Sequence, residues 1–411
     1  MTEKSSLPAR SEVPLEQTWA LESIFSTPTD WENACKELEQ LLPSLTVFQG
    51  RLHEGPQVLI EAIQKLEEVG TLIGKIGTYA SNESSVDTFD QAATARAGQA
   101  RSLGSRAGAA MAFFDPELMS IGFNLLKQWM QETPALAFFA QYVDRLEKRS
   151  AHVRSGEVEE VLALSADAFS GAFNIFNMLN NADLKFQPAV AADGTQLEIG
   201  QSSIGSLITH PDRQVRRSAW QNYADGYLGF KNTSAAILTT AIKQDVFNAR
   251  VRGYPDALHA SLEPNNVPVE VFHNLIDVFK TNLPTWHKYW RIRRKALKLD
   301  SFGVYDIKAP LTESKPIVRF EQAVDWICEG MAPLGAEYVQ ILRRGCLEDR
   351  WVDRALNRGK REGAFSSGAY GTRPFIMMSY ADDLFSLSTL AHELGHSMHS
   401  YYSRTNQRYL Y

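Results

Sequence analysis

The sequence predicts a mainly α, multi-helix protein with a small amount of β-structure, and three observations carry that expectation. Apolar residues recur at helical spacing through most of the chain, with almost no two-residue alternation. One hairpin signal interrupts the helices near the middle: Asp193-Gly194 lies between Leu184-Lys185-Phe186 and Gln196-Leu197-Glu198-Ile199. Toward the C-terminal end, the apolar run Pro374-Phe375-Ile376-Met377-Met378-Ser379-Tyr380 suits a short buried strand, and a helix bearing His392-Glu393-Leu394-Gly395-His396 follows it.

In chain order, Trp19-Ala20-Leu21-Glu22-Ser23-Ile24-Phe25 is an apolar cluster that anchors the N-terminal tail. A helix is expected over residues 31–45, capped by Thr29 or Asp30. Residues 52–81 continue with helical spacing, and residues 87–112 are rich in Ala, Gln and Arg, which favours a long helix. Asp115-Pro116-Glu117 opens another, with Pro at its first helical position. Pro134 begins one more, and residues 158–177 are again helical. These elements form an N-terminal helical lobe, residues 1–183, and the hairpin marks the start of a second part, residues 184–411. Helices resume over 212–223, 235–250 and 268–279. Residues 286–299 carry Arg291, Arg293, Arg294, Lys295 and Lys298 and read as a solvated helix face.

The 411 residues exceed one average domain and can bury a substantial core. A net charge of −6 argues against a dedicated nucleic-acid binder. Cys35, Cys328 and Cys346 are odd in number and lack C-x-x-C spacing, so they read as reduced thiols. No run of about 20 apolar residues occurs, so no membrane span is expected. The polar start lacks the apolar segment of a secretion signal, and a cytoplasmic location is the default expectation.

The H-E-x-x-H spacing has a physical reason. Residues four apart share one helix face, so His392 and His396 can reach one zinc ion while Glu393 stays free to act as general base. Leu387, Ala391, Leu394 and Met398 form an apolar stripe, and at about 100° per residue His392, His396 and His399 fall roughly opposite it. Ser386, Ser388 and Thr389 are candidate caps or early-turn residues. Gly395 costs about 1 kcal/mol relative to Ala inside a helix, which suggests close approach by another element. The same five-residue pattern also occurs on solvated helix faces, so the motif alone leaves the zinc reading open. The segment before it adds weight: Gly359, Gly363, Gly368 and Gly371 precede the 374–380 run, and Gly-rich backbone beside a strand suits an extended peptide added as a further strand. An ordinary loop and a structural strand are the bland alternative.

At this point a family resemblance becomes specific. Residues 359–366 (Gly-Lys-Arg-x-Gly-Ala-Phe-Ser), Pro374-Phe375-Ile376 and residues 389–403 around the histidines together resemble the oligoendopeptidase F branch of the thimet-oligopeptidase-like zinc peptidases. Trp19-x-Leu21-x-x-Ile24-Phe25, residues 181–186 and Arg252-Gly253-Tyr254 agree, so the resemblance covers essentially the whole chain. It implies a two-lobed zincin-like fold with a small β-sheet beside the H-E-x-x-H helix and a channel for short unfolded peptides. Carried over by position, His392 and His396 are ligands to one Zn2+ per chain and Glu393 is the base. His399 has a second-shell or cleft role, and Gly363, Ala364, Phe365, Gly368, Phe375 and Ile376 are candidate substrate-binding residues.

The expected function is a zinc metalloendopeptidase acting on short oligopeptides, with no nucleic-acid or membrane partner and no indication of oligomeric state. The family's third zinc ligand is a Glu on a helix downstream of the motif. Only 15 residues follow His396 here, so the chain is expected to be a truncated form with weak zinc binding, little or no peptidase activity of its own and exposed apolar surface. Two alternatives stand beside this: a catalytically silent helical peptide-binding protein, and a cysteine hydrolase using Cys328 or Cys346.

Overall fold

The computed structural model describes residues 7–154, 171–201, 203–312, 316–361 and 363–410, together with Val158, Leu162, Ser165 and Phe169. Packing groups the chain into two compact units: Met1–Glu147 with Lys315–Tyr411, and Lys148–Ser314. This division cuts across a boundary at 183/184, because the C-terminal helices and sheet pack with the N-terminal helices.

The first unit opens with α1 (Pro28–Leu45), α2 (Pro56–Val86), α3 (Gln91–Met111), α4 (Phe114–Ile121), α5 (Phe123–Glu132) and the start of α6 (Ala140–Ser150). Helix α1 shows why these segments fold as they do. Trp31, Cys35, Leu38, Leu42 and Leu45 repeat at helical spacing and are all buried. Its cap is Thr27, two residues before the candidates Thr29 and Asp30, because Pro28 fits the first helical position. Asp30 instead completes a capping box, its carboxylate accepting the Thr27 N–H at 3.0 Å. The Trp31 indole N–H donates to the Ile76 carbonyl of α2 at 3.1 Å, joining two helices inside the core.

The second unit holds α7 (Gly171–Met178), the strands β1 (Ala189–Val190) and β2 (Gln196–Leu197), and α8 (Ile204–Leu207). It continues with α9 (Arg213–Gly229), α10 (Lys231–Val251), α11 (Ala257–Leu262) and α12 (Val269–Ala296). Of the helix expected over 158–177, residues 171–177 are helical in α7, and part of the stretch before them lies outside the described residues. The hairpin forms around Asp193-Gly194 with Ala189 opposite Leu197, and Gly194 takes φ 85°. Residues 184–186 stay out of this ladder; Phe186 stacks on Tyr223 of α9 instead, with ring centroids 4.8 Å apart. Helix α12 runs unbroken through Pro284, joining two segments that the sequence reading kept apart. Pro284 forfeits one backbone hydrogen bond on a stretch exposed to solvent. Asp306, fully buried, locks this unit by accepting from Arg213 at 2.8 Å and Arg216 at 3.1 Å.

The chain then returns to the first unit with α13 (Phe320–Gly330), α14 (Ala336–Leu347), β3 (Val352–Asp353), β4 (Phe365–Ser367), β5 (Phe375–Met377) and α15 (Leu384–Asn406). The three strands form a sheet in the order β3-β5-β4, parallel on one side and antiparallel on the other. Both faces of β5 are covered. Phe375 and Met377 pack with Trp19 and Val86, while Ile376 and Met378 face Leu390, Leu394 and Met398 of α15. A central strand covered on both faces reads as a continuous apolar run, which is how it was visible in the sequence. The tail cluster around Trp19 is an anchor as expected: the Ala20 N–H donates to the Arg350 carbonyl at 2.9 Å, and the Arg354 N–H to the Gln17 carbonyl at 2.9 Å.

Candidate active site

Helix α15 and the edge strand β4, both in the first unit, build the site. The cap of α15 is Asp383, whose Oδ1 accepts the Ser386 N–H at 2.7 Å. Ser386 is thus an early-turn residue, and its own hydroxyl accepts the Ala381 N–H at 3.0 Å. This start sets the rotation of the helix. Leu390, Leu394 and Met398 turn into the core, Leu387 and Ala391 sit at its margin, and His392, His396 and His399 face outward. Glu393 is 7 % exposed, at the seam between core and cleft.

The cleft has a volume of about 430 Å³. Ala364, Phe365 and Ser366 form its β4 wall, and His392, Glu393, His396, His399 and Ser400 its α15 wall. Ser366 and Ser397 share a hydrogen bond of 2.8 Å, and Ser397 is fully buried, so strand and helix are pinned together beside the histidines. As the last strand in the order β3-β5-β4, β4 leaves one row of backbone N–H and C=O groups without a sheet partner among the described residues.

The Nε2 atoms of His392 and His396 lie 3.1 Å apart. With zinc–nitrogen bonds of about 2.0–2.1 Å, two nitrogens at that separation share one ion at an angle of about 100°, close to tetrahedral. Among the described residues neither imidazole has another hydrogen-bond partner, so the pair is free to take a cation. The same residues hold no group of three or more His, Cys, Asp or Glu able to hold a metal. The pair therefore fits two of the three protein positions usual for a catalytic zinc.

The structure separates the other predicted residues. Ala364 and Phe365 border the cleft. Gly363 precedes them with φ 89° and open space where a Cβ would stand. Gly368 follows β4 with φ 140°, and a Cβ there would overlap the Arg404 guanidinium. Phe375 and Ile376 stand apart from the cleft. Both are completely buried in the central strand and support β4 from behind. Gly395 also departs from expectation: a Cβ there would meet nothing within 4 Å, so no element approaches it closely. Burial pushes the thiol of Cys35 up to about 11 and raises those of Cys328 and Cys346. Buried, hard-to-ionise thiols disfavour the cysteine-hydrolase alternative. Sequence reasoning passed over Ser366, Ser397 and Ser400; of these, Ser397 was readable as a polar residue on the buried side of the motif helix.

Comparison with known proteins places the chain in a family. Residues 206–411 match the profile of peptidase family M3, and residues 117–186 match that of oligopeptidase F. The chain belongs to peptidase family M3. Its M3 relatives include oligopeptidase PepF of Bacillus subtilis, 37% identical over 99% of this chain and 61% of that protein. Group B oligopeptidase PepB of Streptococcus agalactiae is 32% identical over 98% of this chain and 67% of that protein. The chain thus spans 61% to 67% of the length of these relatives. A peptidase-like protein from Chlamydophila abortus aligns with a TM-score of 0.81 and 28% identity, covering 98% of this chain and 68% of that one. Oligoendopeptidase-F from Enterococcus faecium aligns with a TM-score of 0.63 and 30% identity over 77% of this chain and 60% of that one. No helix among the described residues is long and apolar enough to cross a membrane.

Proposed function

We propose that this protein is a zinc-dependent endopeptidase that cuts short, unfolded oligopeptides. The observation that carries the reading is the pair of outward-facing imidazoles 3.1 Å apart, with Glu393 between them and the open edge of β4 across the same cleft. His392 and His396 would hold the ion. When bound, zinc supplies a Lewis acid that polarises the scissile carbonyl and eases deprotonation of water. Glu393 takes a proton from the attacking water and delivers it to the leaving amine. Backbone groups of residues 364–366 pair with the extended peptide, and Gly363 lets that peptide approach without a side chain in the way. His399 and Ser400 form the continuing wall, with His399 about 10 Å along the helix from His392 and thus outside the ligand pair.

Names of relatives support this reading, since those proteins are called oligopeptidases. The two-donor set favours a second reading, capture of peptides without cleavage. One experiment separates them: turnover of a quenched-fluorescence peptide by the parent chain and by Glu393→Gln, with metal content measured in both. The endopeptidase reading expects cleavage that falls about 10²–10⁴-fold in Glu393→Gln at unchanged zinc content. Equal turnover in both removes Glu393 from its role, and peptide binding without turnover in the parent establishes silent capture.

A further inference from the structure

A second cavity, of about 320 Å³, lies in the first unit and shares no residue with the histidine cleft. Three segments wall it: the start of α13, the loop after β3 and the loop after β5. Strands β3 and β5 are parallel neighbours, so both loops leave the sheet at the carboxyl ends of their strands. Crevices at that end are where open parallel sheets take their ligands.

Four charged side chains line the cavity, and two of them are already engaged. Arg354 donates to the Glu321 carboxylate at 2.8 Å and lies over the Phe320 ring, 4.0 Å from its centroid. Its backbone is held as well: the N–H donates to the Gln17 carbonyl and the carbonyl accepts the Tyr380 N–H, both at 2.9 Å. Arg319 and Asp382 remain. Their backbones are neighbours, since the Val318 N–H donates to the Asp382 carbonyl at 2.9 Å. Yet no ion pair joins the two side chains, and among the described residues neither has a hydrogen-bonding or charged partner. Asp382 also holds φ 53°, a left-handed conformation that costs a residue with a Cβ. The lining between these segments is apolar at Phe320, Leu356 and Tyr380, and the Tyr380 hydroxyl is engaged by the Val318 carbonyl at 2.9 Å.

We infer that this cavity binds the zwitterion of an apolar α-amino acid or dipeptide. The Arg319 guanidinium takes its carboxylate, the Asp382 carboxylate takes its ammonium, and its side chain rests on Phe320, Leu356 and Tyr380. Other ligand classes leave a charge unmet. A phosphate meets Arg319 but faces the Asp382 carboxylate, a metal cation finds one free carboxylate where several oxygens are needed, and a neutral sugar answers neither charge. The volume is at the small end of the roughly 300–1,000 Å³ typical of ligand pockets, as a molecule of this size requires. The inference is independent of the metal pair. Asp382 directly precedes Asp383, the cap of α15, so the bound zwitterion sits against the start of the histidine helix.

The test is a ligand-detected NMR titration of the full chain with four compounds: L-leucine, L-leucyl-L-leucine, N-acetyl-L-leucine, which keeps only the carboxylate, and L-leucinamide, which keeps only the ammonium. L-Leucine, L-leucyl-L-leucine or both should bind about ten- to a hundredfold more tightly than either single-charge analogue, the worth of one charge-assisted contact. Arg319→Gln should bring the zwitterion to the level of L-leucinamide and leave L-leucinamide unchanged. Asp382→Asn should bring it to the level of N-acetyl-L-leucine and leave that analogue unchanged, and Asn tolerates the left-handed backbone. Arg319 is exposed and unpaired, so the Arg319→Gln arm decides the matter even if Asp382→Asn fails to fold. The His392→Ala/His396→Ala double variant should bind the zwitterion as the parent does. No zwitterion binding by the parent, equal binding of all four compounds, or a preference that survives Arg319→Gln overturns the inference. Tighter binding of inorganic phosphate than of the zwitterion overturns it too, as does loss of zwitterion binding in the double-histidine variant, which would assign the ligand to the cleft.

Discussion

Replacing Asp353 by Ala should loosen the floor of the site more than any other single change in the sheet. Asp353 is fully buried, and its Oδ1 accepts from the Lys360 ammonium at 2.7 Å. Its carboxylate also accepts two bonds from Arg10. The Lys360 side chain is 2% exposed and donates to the Ala355 and Met378 carbonyls, both at 2.7 Å. This ion pair joins the N-terminal tail, β3 and the end of β5. Without Asp353, Arg10 can swing into water, but Lys360 remains buried with carbonyls as its only partners. Breaking a buried pair in this way costs about 3–5 kcal/mol, a large share of the roughly 5–15 kcal/mol that holds a typical protein folded. At 1.4 kcal/mol per tenfold, amide exchange around residues 351–353 and 375–378 should quicken by about 10²- to 4 × 10³-fold when it proceeds through unfolding. Hydrogen–deuterium exchange with mass spectrometry reads those segments separately from the second unit. Replacing both partners, Asp353→Leu with Lys360→Met, should recover much of the loss, because an apolar pair of similar volume avoids the desolvation of two charges. Exchange less than fivefold faster in Asp353→Ala would refute the reasoning.

In the second unit, burial pushes Asp306 up, but bonds from Arg213, the Gly303 N–H and Arg216 outweigh it and hold its carboxyl below the usual value. Its stabilisation is complete above the unfolded value near 3.8 and is lost as pH falls through the lower folded value. Asp306→Asn should therefore flatten the acid limb of that unit's stability below about pH 4, and an unchanged limb by circular dichroism would contradict this. Two glycines should behave oppositely. Gly345→Ala drives a Cβ into the Trp351 ring and should destabilise by about 1–3 kcal/mol. Gly395→Ala meets open space in an exposed helix and should stabilise by roughly 0.5–1 kcal/mol. Urea midpoints for the two variants check the signs.

How much of this was legible in the sequence depended on the range of the interaction. Helical period and local capping reach only a few residues, so α1, α3 and α15 could be placed from their own segments. The cap of α1 fell on Thr27 rather than Thr29 or Asp30 because the neighbouring Pro28 fits the first helical position. The run at 374–380 revealed a buried strand but not its place in the sheet. That is why Phe375 and Ile376 were taken for cleft residues; membership of the central strand depends on β3 and β4, which lie elsewhere in the sequence. Arg10 and Asp353 are separated by 343 positions, and no periodicity connects them. The histidine pair was readable because its geometry is local to one helix turn.

The central claim is that His392 and His396 form a metal pair with Glu393 outside the ligand set. Zinc titration against a chromophoric chelator tests it without requiring turnover. The account predicts one zinc per parent chain, retained in Glu393→Gln and lost in His392→Ala and in His396→Ala. Parent-like zinc affinity in the His392→Ala/His396→Ala double variant would contradict it.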